Sequence, residues 1–552
     1  MKRALSIIAA ALMLFSVLAV FSACGEGEVT VGEGPLGAYS PAVRITYSRP
    51  YYGNDEMNLS KLGWSFTENG WFDVIKKELG VRIVVEWSIN DYALYFERLN
   101  TAIFEGSIPD IVDVSAENSA YITLNAMHKN DLIREIDDLM ENYLSDASKE
   151  LYDLAGKEIF YPATYDGKIY ALCQAAAGEG TAKSFYYFRK DWLDNLNMPV
   201  PHDYDSLEAV LRAFTENDPD LNNEDDTVGM AIDSVQSSLL DAFFNGFGAY
   251  PNIWTEDGNG GLTFGTVSEK MRKPLEKLAH YVASGYGDYT PVSGNNTTYM
   301  FISGVAGCVI GQTNSILTLA DTIKRNPNAE IVAVPAFNED GSAAAVTCGE
   351  NAYRYYAVSR GCKYPEVLIK LNNFMLEMTE RAGSDIELYN KYFTNAEGTI
   401  HAYNYAPVVQ EDYPRRNCDN ALAVEEALKV GSPEGLTNEL QRMIYGWVKA
   451  YDDGDNSYRG WAMLYGIDGV QVKQKEFFDG DLYVHNKFVT VPTETMAKKG
   501  EELNSFAYLT LGKIIAGEET VDYFDVFVSE WKATGGDDIT REVNEWYKNI
   551  TG

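Results

Sequence analysis

The chain has 552 residues, 46% of them hydrophobic, enough to bury a substantial core in two or three domain-sized units. Its formal charge of -36 excludes nucleic acid and anionic lipid surfaces as partners, because both repel so acidic a molecule. The six cysteines, Cys24, Cys173, Cys308, Cys348, Cys362 and Cys418, show neither a disulfide framework nor a zinc spacing. The last five read as small apolar filling, with room for one chance pair.

Met1-Lys2-Arg3 leads into an apolar run, Ala4 to Val20, broken only by Ser6 and Ser16, which reads as a secretory signal. The run is short for a bilayer span and lacks a charged stop on its far side. It ends in Phe21-Ser22-Ala23-Cys24-Gly25, which resembles a bacterial lipobox, with Phe21 where that pattern usually has Leu. The resemblance implies a signal peptide over residues 1–23 and a lipid on Cys24, the first mature residue. Residues 25–41, rich in Gly and acid and without an apolar period, are expected to complete a flexible tether over 24–41.

Beyond the tether, Val43 to Tyr47 alternates as a strand. Trp71, Ile75 and Leu79 recur at helical spacing before Gly80, a helix stop, and Val81, Ile83, Val85 and Trp87 alternate again. Tyr92 to Glu105 is helical in pattern, Gly106 and Pro109 end it, and Ile111 to Val114 supplies a short buried strand. The rhythm recurs with a helix over Lys270 to Ala283 and strands over Ala306 to Ile310 and Glu330 to Val334. The chain closes on amphipathic helices, one striped by Phe524, Phe527, Val528 and Trp531 and one by Val543, Trp546, Tyr547 and Ile550, separated by Gly535-Gly536. Strands alternating with helices predict α/β layers on mainly parallel sheets.

Five stretches carry a family resemblance: Leu99 to Val112, Ala163 to Leu172, Arg189 to Leu196, Tyr353 to Met375 and Phe524 to Lys548. In this order they resemble the signature blocks of family 1 extracellular solute-binding proteins of bacterial ABC importers, in their long lipoprotein branch. The resemblance implies a two-lobe clamshell with a ligand cleft at the hinge and several crossings between lobes. We expect residues 42–170 and 350–425 in lobe 1, and 171–349 and 426–552 in lobe 2. Oligosaccharides are the branch's commonest ligands. Delivery to two permease subunits served by a separate ATPase is implied as well, with the protein a monomer that meets the membrane only through its lipid on the outer face.

The stretch Asp218 to Asp226 places oxygen ligands at every second residue: Asp218, Asp220, Asn222, the Glu224 carbonyl and Asp226. A hard cation such as Ca2+ takes six to eight oxygens, and such a loop can wrap them round one point. The alginate-binding members of the family carry an EF-hand-like calcium loop between the same two helical segments. Here Asn223 replaces the usual Gly and Gly229 replaces the bidentate Glu, so an acidic solvated loop is the competing reading.

Sugars present flat C–H faces and hydroxyl edges, which call for aromatic platforms beside polar groups. Candidate ligand contacts in expected loops and strand ends are Trp64, Trp87, Gln174, Tyr187, Arg189, Trp254, Gln312, Asn314, Glu350 and Trp461. Trp192, Trp531 and Trp546 lie on helical stripes and belong to the core. No G-x-S-x-G, H-E-x-x-H, P-loop or dinucleotide fingerprint is present, and His128, His202, His280, His401 and His485 are isolated in sequence. Binding without catalysis is therefore the expectation. The alternatives are a peptide-binding lipoprotein, a passive surface adhesin and a glycan-active enzyme using an Asp/Glu pair. For the anchor, Cys24→Ser releases the protein from membranes or leaves it uncleaved. Detergent-phase partitioning checks this, and a serine variant that partitions like the parent refutes the lipobox.

Overall fold

A computed structural model describes residues 29–51, 53–115, 118–176, 178–290, 296–395, 399–410 and 413–551. Residues 1–23 and Cys24 lie outside them. No helix among the described residues is long and apolar enough to cross a membrane.

Ten strands build two five-stranded sheets. In chain order they are β1 (Val43–Pro50), β2 (Val81–Ile89), β3 (Ile111–Ser115), β4 (Ala171–Ala175) and β5 (Phe185–Arg189). β6 (Val228–Ile232), β7 (Gly287–Tyr289), β8 (Ala306–Gly311), β9 (Ile331–Pro335) and β10 (Ala352–Val358) follow. The first sheet runs β2-β1-β3-β10-β4 and the second β7-β6-β8-β5-β9. In each, three parallel strands are followed by one strand antiparallel to both its neighbours: β10 in the first and β5 in the second.

The helix rules written in the sequence operate as expected. The Asn69 side chain accepts from the Phe72 N–H to start Gly70–Leu79, and Gly80, at φ 63°, stops it. Trp71, Ile75 and Leu79 are all buried. Asp91 caps Tyr92–Glu105 in the same way and Gly106 ends it at φ 71°. The helix expected over 270–283 begins at Arg272 because a 3-10 turn occupies Glu269–Met271. At the C-terminus the Gly535-Gly536 break is a π-turn over Lys532–Gly536, with Gly535 at φ 151°. Trp192 and Trp531 are buried, whereas Trp546 is only partly so.

Two hydrophobic cores result. One joins residues between Tyr39 and Ala175 to those between Ala352 and Val409, and the other joins Ala182 to Cys348 with Ala421 to Val543. Two of the expected boundaries move. Residues 171–175, assigned by sequence to lobe 2, form β4 and pair with β10 in the first sheet. Residues 416–425, assigned to lobe 1, open the helix Arg416–Val430, whose Ala421, Val424 and Ala427 pack in the second core. In both cases the sequence shows a continuous element and only the partner surface decides its lobe.

The tether expectation also changes. Thr30–Val31 pairs antiparallel with Tyr39–Ser40, and the hairpin docks on the first core. Fully buried Lys370 donates to the Gly37 carbonyl at 2.5 Å, Asn373 donates to the Pro35 carbonyl at 3.2 Å, and the Tyr39 hydroxyl donates to Glu366 at 2.6 Å. Gly80 is required here for a second reason, since a Cβ on it would sit 2.1 Å from the Tyr39 carbonyl oxygen. Composition concealed the docking because its partners are backbone carbonyls, which any sequence provides. A chain starting at residue 42 takes the carbonyl acceptor from the buried Lys370 ammonium, at about 1–3 kcal/mol, while Asn373 keeps its bond to the Tyr143 carbonyl. It is expected to unfold at distinctly lower urea than a chain starting at residue 29; equal midpoints would show the hairpin to be dispensable.

Candidate functional site

The chain passes between the cores three times: between β4 and β5 (residues 176–184), between β9 and β10 (residues 336–351), and after Gln410. Register shows which edge these crossings use. In the first sheet Ala175 pairs with Ala352, and Arg354 pairs with Ser115, so the crossings leave beside the C-terminal ends of β1, β2 and β3. In the second, Phe185 pairs with Gly311 and Pro335, so they enter beside the C-terminal ends of β6 and β8. Both sets of parallel strands therefore turn their carboxyl ends toward the region between the cores, where open α/β sheets bind ligands.

At the first of these edges lies a buried charge cluster that spacing did not reveal. Asp113 on β3, fully buried, accepts from Arg354 on β10 at 3.0 Å and lies 3.9 Å from the Arg49 guanidinium at the end of β1. Arg49 also donates to the carbonyls of Ala406 and Asn404, and the Tyr95 hydroxyl donates to the Asp113 carbonyl. The second Asp113 carboxylate oxygen has no partner among the described residues. Removing both arginines would leave a buried anion uncompensated.

Around this cluster stand several of the sequence candidates. Trp87, partly buried near the end of β2, packs against Tyr95 and lies under the Arg98 guanidinium, 5.4 Å from its ring centre. Gln174 is buried beside Arg354 in register, its amide oxygen unpartnered. Trp64, partly buried, joins a small cluster with Tyr51 and Tyr405 next to the end of β1. Glu350, in the second crossover, accepts a hydrogen bond from Tyr121, and burial raises its carboxyl above the ordinary range.

Across the gap, Gln312 and Asn314 follow β8, the first partly buried and the second exposed. Trp461 stands not in a loop but on the helix Arg459–Tyr465, its ring 4.4 Å from that of Trp447. Asp233, one residue past β6, is buried with one carboxylate oxygen unpartnered, and desolvation raises its carboxyl. Three candidates are spent inside the second lobe. The Tyr187 hydroxyl is buried and donates to the carbonyls of Gln312 and Thr313. Arg189 is held by Asp191, its Nε 2.8 Å from Oδ1, and covers Trp192. Trp254 is buried against Phe264 and Phe488. What packs over each of these tips is not written in the neighbouring residues of the sequence.

The crossovers are tied to one another as well. Glu179 of the first accepts from Asn351 of the second at 3.1 Å and lies 3.0 Å from His485 Nε2, while His485 Nδ1 meets Cys348 Sγ at 3.3 Å. His485, isolated in sequence, is thus the centre of a contact between chain segments far apart.

The loop Asp218 to Asp226 is closed on itself. The Asn222 and Asn223 N–H groups donate to Asp218, and the Asn222 amide donates to Asp220 at 3.1 Å and Asp226 at 3.2 Å. Asn223 takes the left-handed conformation, φ 64°, that the loop needs. One Asp220 oxygen is buried and orphaned. Position 229 offers no ligand, because a Cβ there would meet the Leu211 and Tyr286 carbonyls. Among the described residues no three His, Cys, Asp or Glu side chains converge as a metal set. The oxygen chemistry suits a hard cation; the arrangement seen is held by the Asn222 amide.

A depression of about 450 Å³, lined by Leu428, Tyr445, Val448 and Met463, lies among the second-lobe helices, and none of the strand-end residues lines it.

Two α/β lobes joined by three crossings, with polar and aromatic groups at the strand ends of the first and polar groups at those of the second, define a receptor for a small solute. The profile of the bacterial extracellular solute-binding proteins matches residues 71–379, and the chain belongs to that family. It is similar to the polygalacturonan/rhamnogalacturonan-binding protein YtcQ of Bacillus subtilis, 22% identical over 86% of this chain and 87% of YtcQ. Lipoprotein LipO of the same organism is 21% identical over 86% of this chain and 88% of its own. In fold the chain resembles a solute-binding protein of Bifidobacterium longum infantis described as binding HMO, with TM-score 0.61 and 13% identity, over 92% of this chain and 99% of that one.

One titration follows from the second lobe. Asp241, buried at the start of the helix Asp241–Asn245, has its carboxyl raised by desolvation from 3.8 to about 8, against the opposing pull of Lys183. Between roughly pH 4 and pH 8 the folded protein holds a proton there that the unfolded chain lacks, so stability falls as pH rises through that window. Asp241→Asn is expected to flatten this slope, by on the order of a few kcal/mol across the window. Urea unfolding from pH 5 to pH 8.5 checks it, and parallel curves for parent and variant refute it.

Proposed function

We propose that the protein captures an oligosaccharide between its lobes and catalyses nothing. It delivers the sugar to two permease subunits of an ABC importer whose separate ATPase supplies the energy. The observation that carries this reading is the convergence of both sets of strand ends, with Trp87, Gln174 and Glu350 beside one set and Gln312 and Asn314 after the other. An indole face takes a sugar ring, and amides and carboxyls take its hydroxyls. Likeness to YtcQ, described as binding polygalacturonan and rhamnogalacturonan, supports a glycan ligand. A ligand touching both rims favours the closed arrangement by its differential affinity, and the permeases then read the closed shape. A lipid on Cys24 would hold the receptor at the outer face of the membrane.

We also propose that Asp218, Asp220, Asn222, the Glu224 carbonyl and Asp226 hold Ca2+. Alternating oxygens, the orphaned Asp220 oxygen and the raised Asp220 carboxyl, set by burial and by its neighbours Asp218 and Asp226, support it. The ion would neutralise mutual repulsion in a connector between a helix and β6, stabilising one lobe without touching the sugar. At near-millimolar calcium and an extracellular-module affinity this contributes about 0.4–1.4 kcal/mol.

A thermal-shift panel of oligogalacturonides, fructo-oligosaccharides and malto-oligosaccharides is expected to yield a binder that contracts the protein in small-angle scattering and releases no reducing sugar. Trp87→Ala should weaken that binder roughly tenfold, about 1.4 kcal/mol. An unchanged radius at saturation sinks the closure mechanism, and sugar release sinks the non-enzyme reading. In the same assay a chelator lowers the unfolding temperature of the parent but not of Asp218→Ala/Asp220→Ala; equal effects on both would exclude this loop as the calcium site.

A further inference from the structure

Two of the three crossings run side by side as they leave the first lobe. The Ala176 N–H donates to the Asn351 carbonyl at 2.9 Å, and the Gly349 N–H donates to the Gly178 carbonyl at 3.3 Å. A Cβ on Gly178 would stand 2.1 Å from the Glu350 carbonyl oxygen, although its φ of -57° would suit any residue. Glycine is required there by contact with the other crossing and not by backbone conformation. Each lobe grips this pair of segments at its own end. On the first-lobe side Ala175 pairs with Ala352 in the sheet, and the Tyr121 hydroxyl donates to Glu350. On the second-lobe side Val346–Thr347 pairs in parallel with Tyr483–Val484, and His485, the next residue, reaches both crossings. Its Nε2 lies 3.0 Å from the Glu179 carboxylate and its Nδ1 3.3 Å from the Cys348 sulfur. The carboxylate accepts, so in the neutral ring Nε2 carries the proton and Nδ1 takes the one that the thiol donates. Asn351 closes the joint, donating to the Glu179 carboxylate at 3.1 Å and accepting from the Glu179 N–H at 3.2 Å.

We propose that the lobes pivot where Gly178 rests on Gly349 and Glu350, and that His485 is the positioning residue that sets the balance between lobe arrangements without touching the ligand. Between the two grips stand Gly178 in one crossing and Gly349 in the other, the residue type that resists backbone rotation least. Rotation there carries Glu179 and Cys348 relative to Tyr483–Val484. A rigid imidazole holds its two nitrogens at a fixed separation and angle, so it keeps both bonds in one relative placement of the crossings and contributes free energy only there. Both ring nitrogens are spent on the crossings, one on each. Weakening this joint therefore changes the fraction of ligand-free protein that is ready to bind, and multiplies the apparent dissociation constant of every ligand by the same factor. This inference rests on the closure reading above.

The experiment uses the full mature chain with H485L, H485Q and G178A. Each is titrated calorimetrically with long and short members of whichever series of the panel binds, oligogalacturonides, fructo-oligosaccharides or malto-oligosaccharides. The ligand-free radius is read by small-angle scattering, and a urea midpoint is measured beside it. H485L is expected to change the affinity for long and short glycans by one common factor, about fivefold or more. The free radius is expected to change with it, wider where binding weakens or narrower where it tightens. H485Q, whose amide nitrogen can still donate to Glu179, is expected to fall between H485L and the parent. G178A wedges the crossings apart and is expected to show a common factor as well; where it does not fold, the two His485 variants decide. Unchanged affinity in H485L overturns the proposal, with or without a lowered urea midpoint, since His485 is then structural only. Factors that differ between long and short glycans overturn it too, because they mark a direct ligand contact. If the parent binds no glycan or does not contract on binding, the closure reading fails first; if the parent contracts and H485L matches its affinity, the pivot alone fails.

Discussion

Neither sheet is complete within one continuous stretch of chain. The first needs β10 between β3 and β4, and β10 arrives only after the chain has built most of the second lobe. The second needs β5 between β8 and β9, and β5 is the strand that enters from the first lobe. In both, the visiting strand runs antiparallel to its neighbours, which forces every crossing to the carboxyl ends of the parallel strands. Hinge, cleft and candidate contacts all follow from that single constraint of pairing.

Placing the hinge there sets the electrostatic character of the site. On the first rim opposite charges face one another, Asp113 against Arg354 and Arg49, and Arg49 is further held by two backbone carbonyls, although one Asp113 oxygen has no partner among the described residues. In the second lobe Asp233 and Asp241 are buried with desolvated carboxyls. Between the lobes, Glu179, Asn351 and His485 cross-link the connecting segments, so the lobes share a polar joint as well as a covalent one.

Much of the local structure was legible. The Asn69 and Asp91 caps, the Gly80 and Gly106 stops and the alternation in β1 and β2 each depend on a few neighbouring residues, and each formed where its pattern stood. The candidates that kept a place on the rims, Trp87, Gln312 and Asn314, were found because a strand's end is a local signal. Tyr187, Arg189 and Trp254 were misread because burial of a polar or aromatic tip depends on what packs over it. The docked hairpin at residues 29–41 was missed for a related reason: Lys370 and Asn373 recognise carbonyls, which leave no trace in composition.

The sequence by itself determined the class of fold, the family and the elements, because periodicity, caps and signature blocks are properties of short stretches. It could not bring Arg49, Asp113 and Arg354 together. Those groups stand up to about 300 residues apart and meet only through strand pairing and crossovers, whose register is chosen by burial on faces that no single stretch contains. Tertiary structure also decided which lobe owns β4 and which owns the helix Arg416–Val430. An amphipathic element states that it must bury a face, and only the assembled cores state against what.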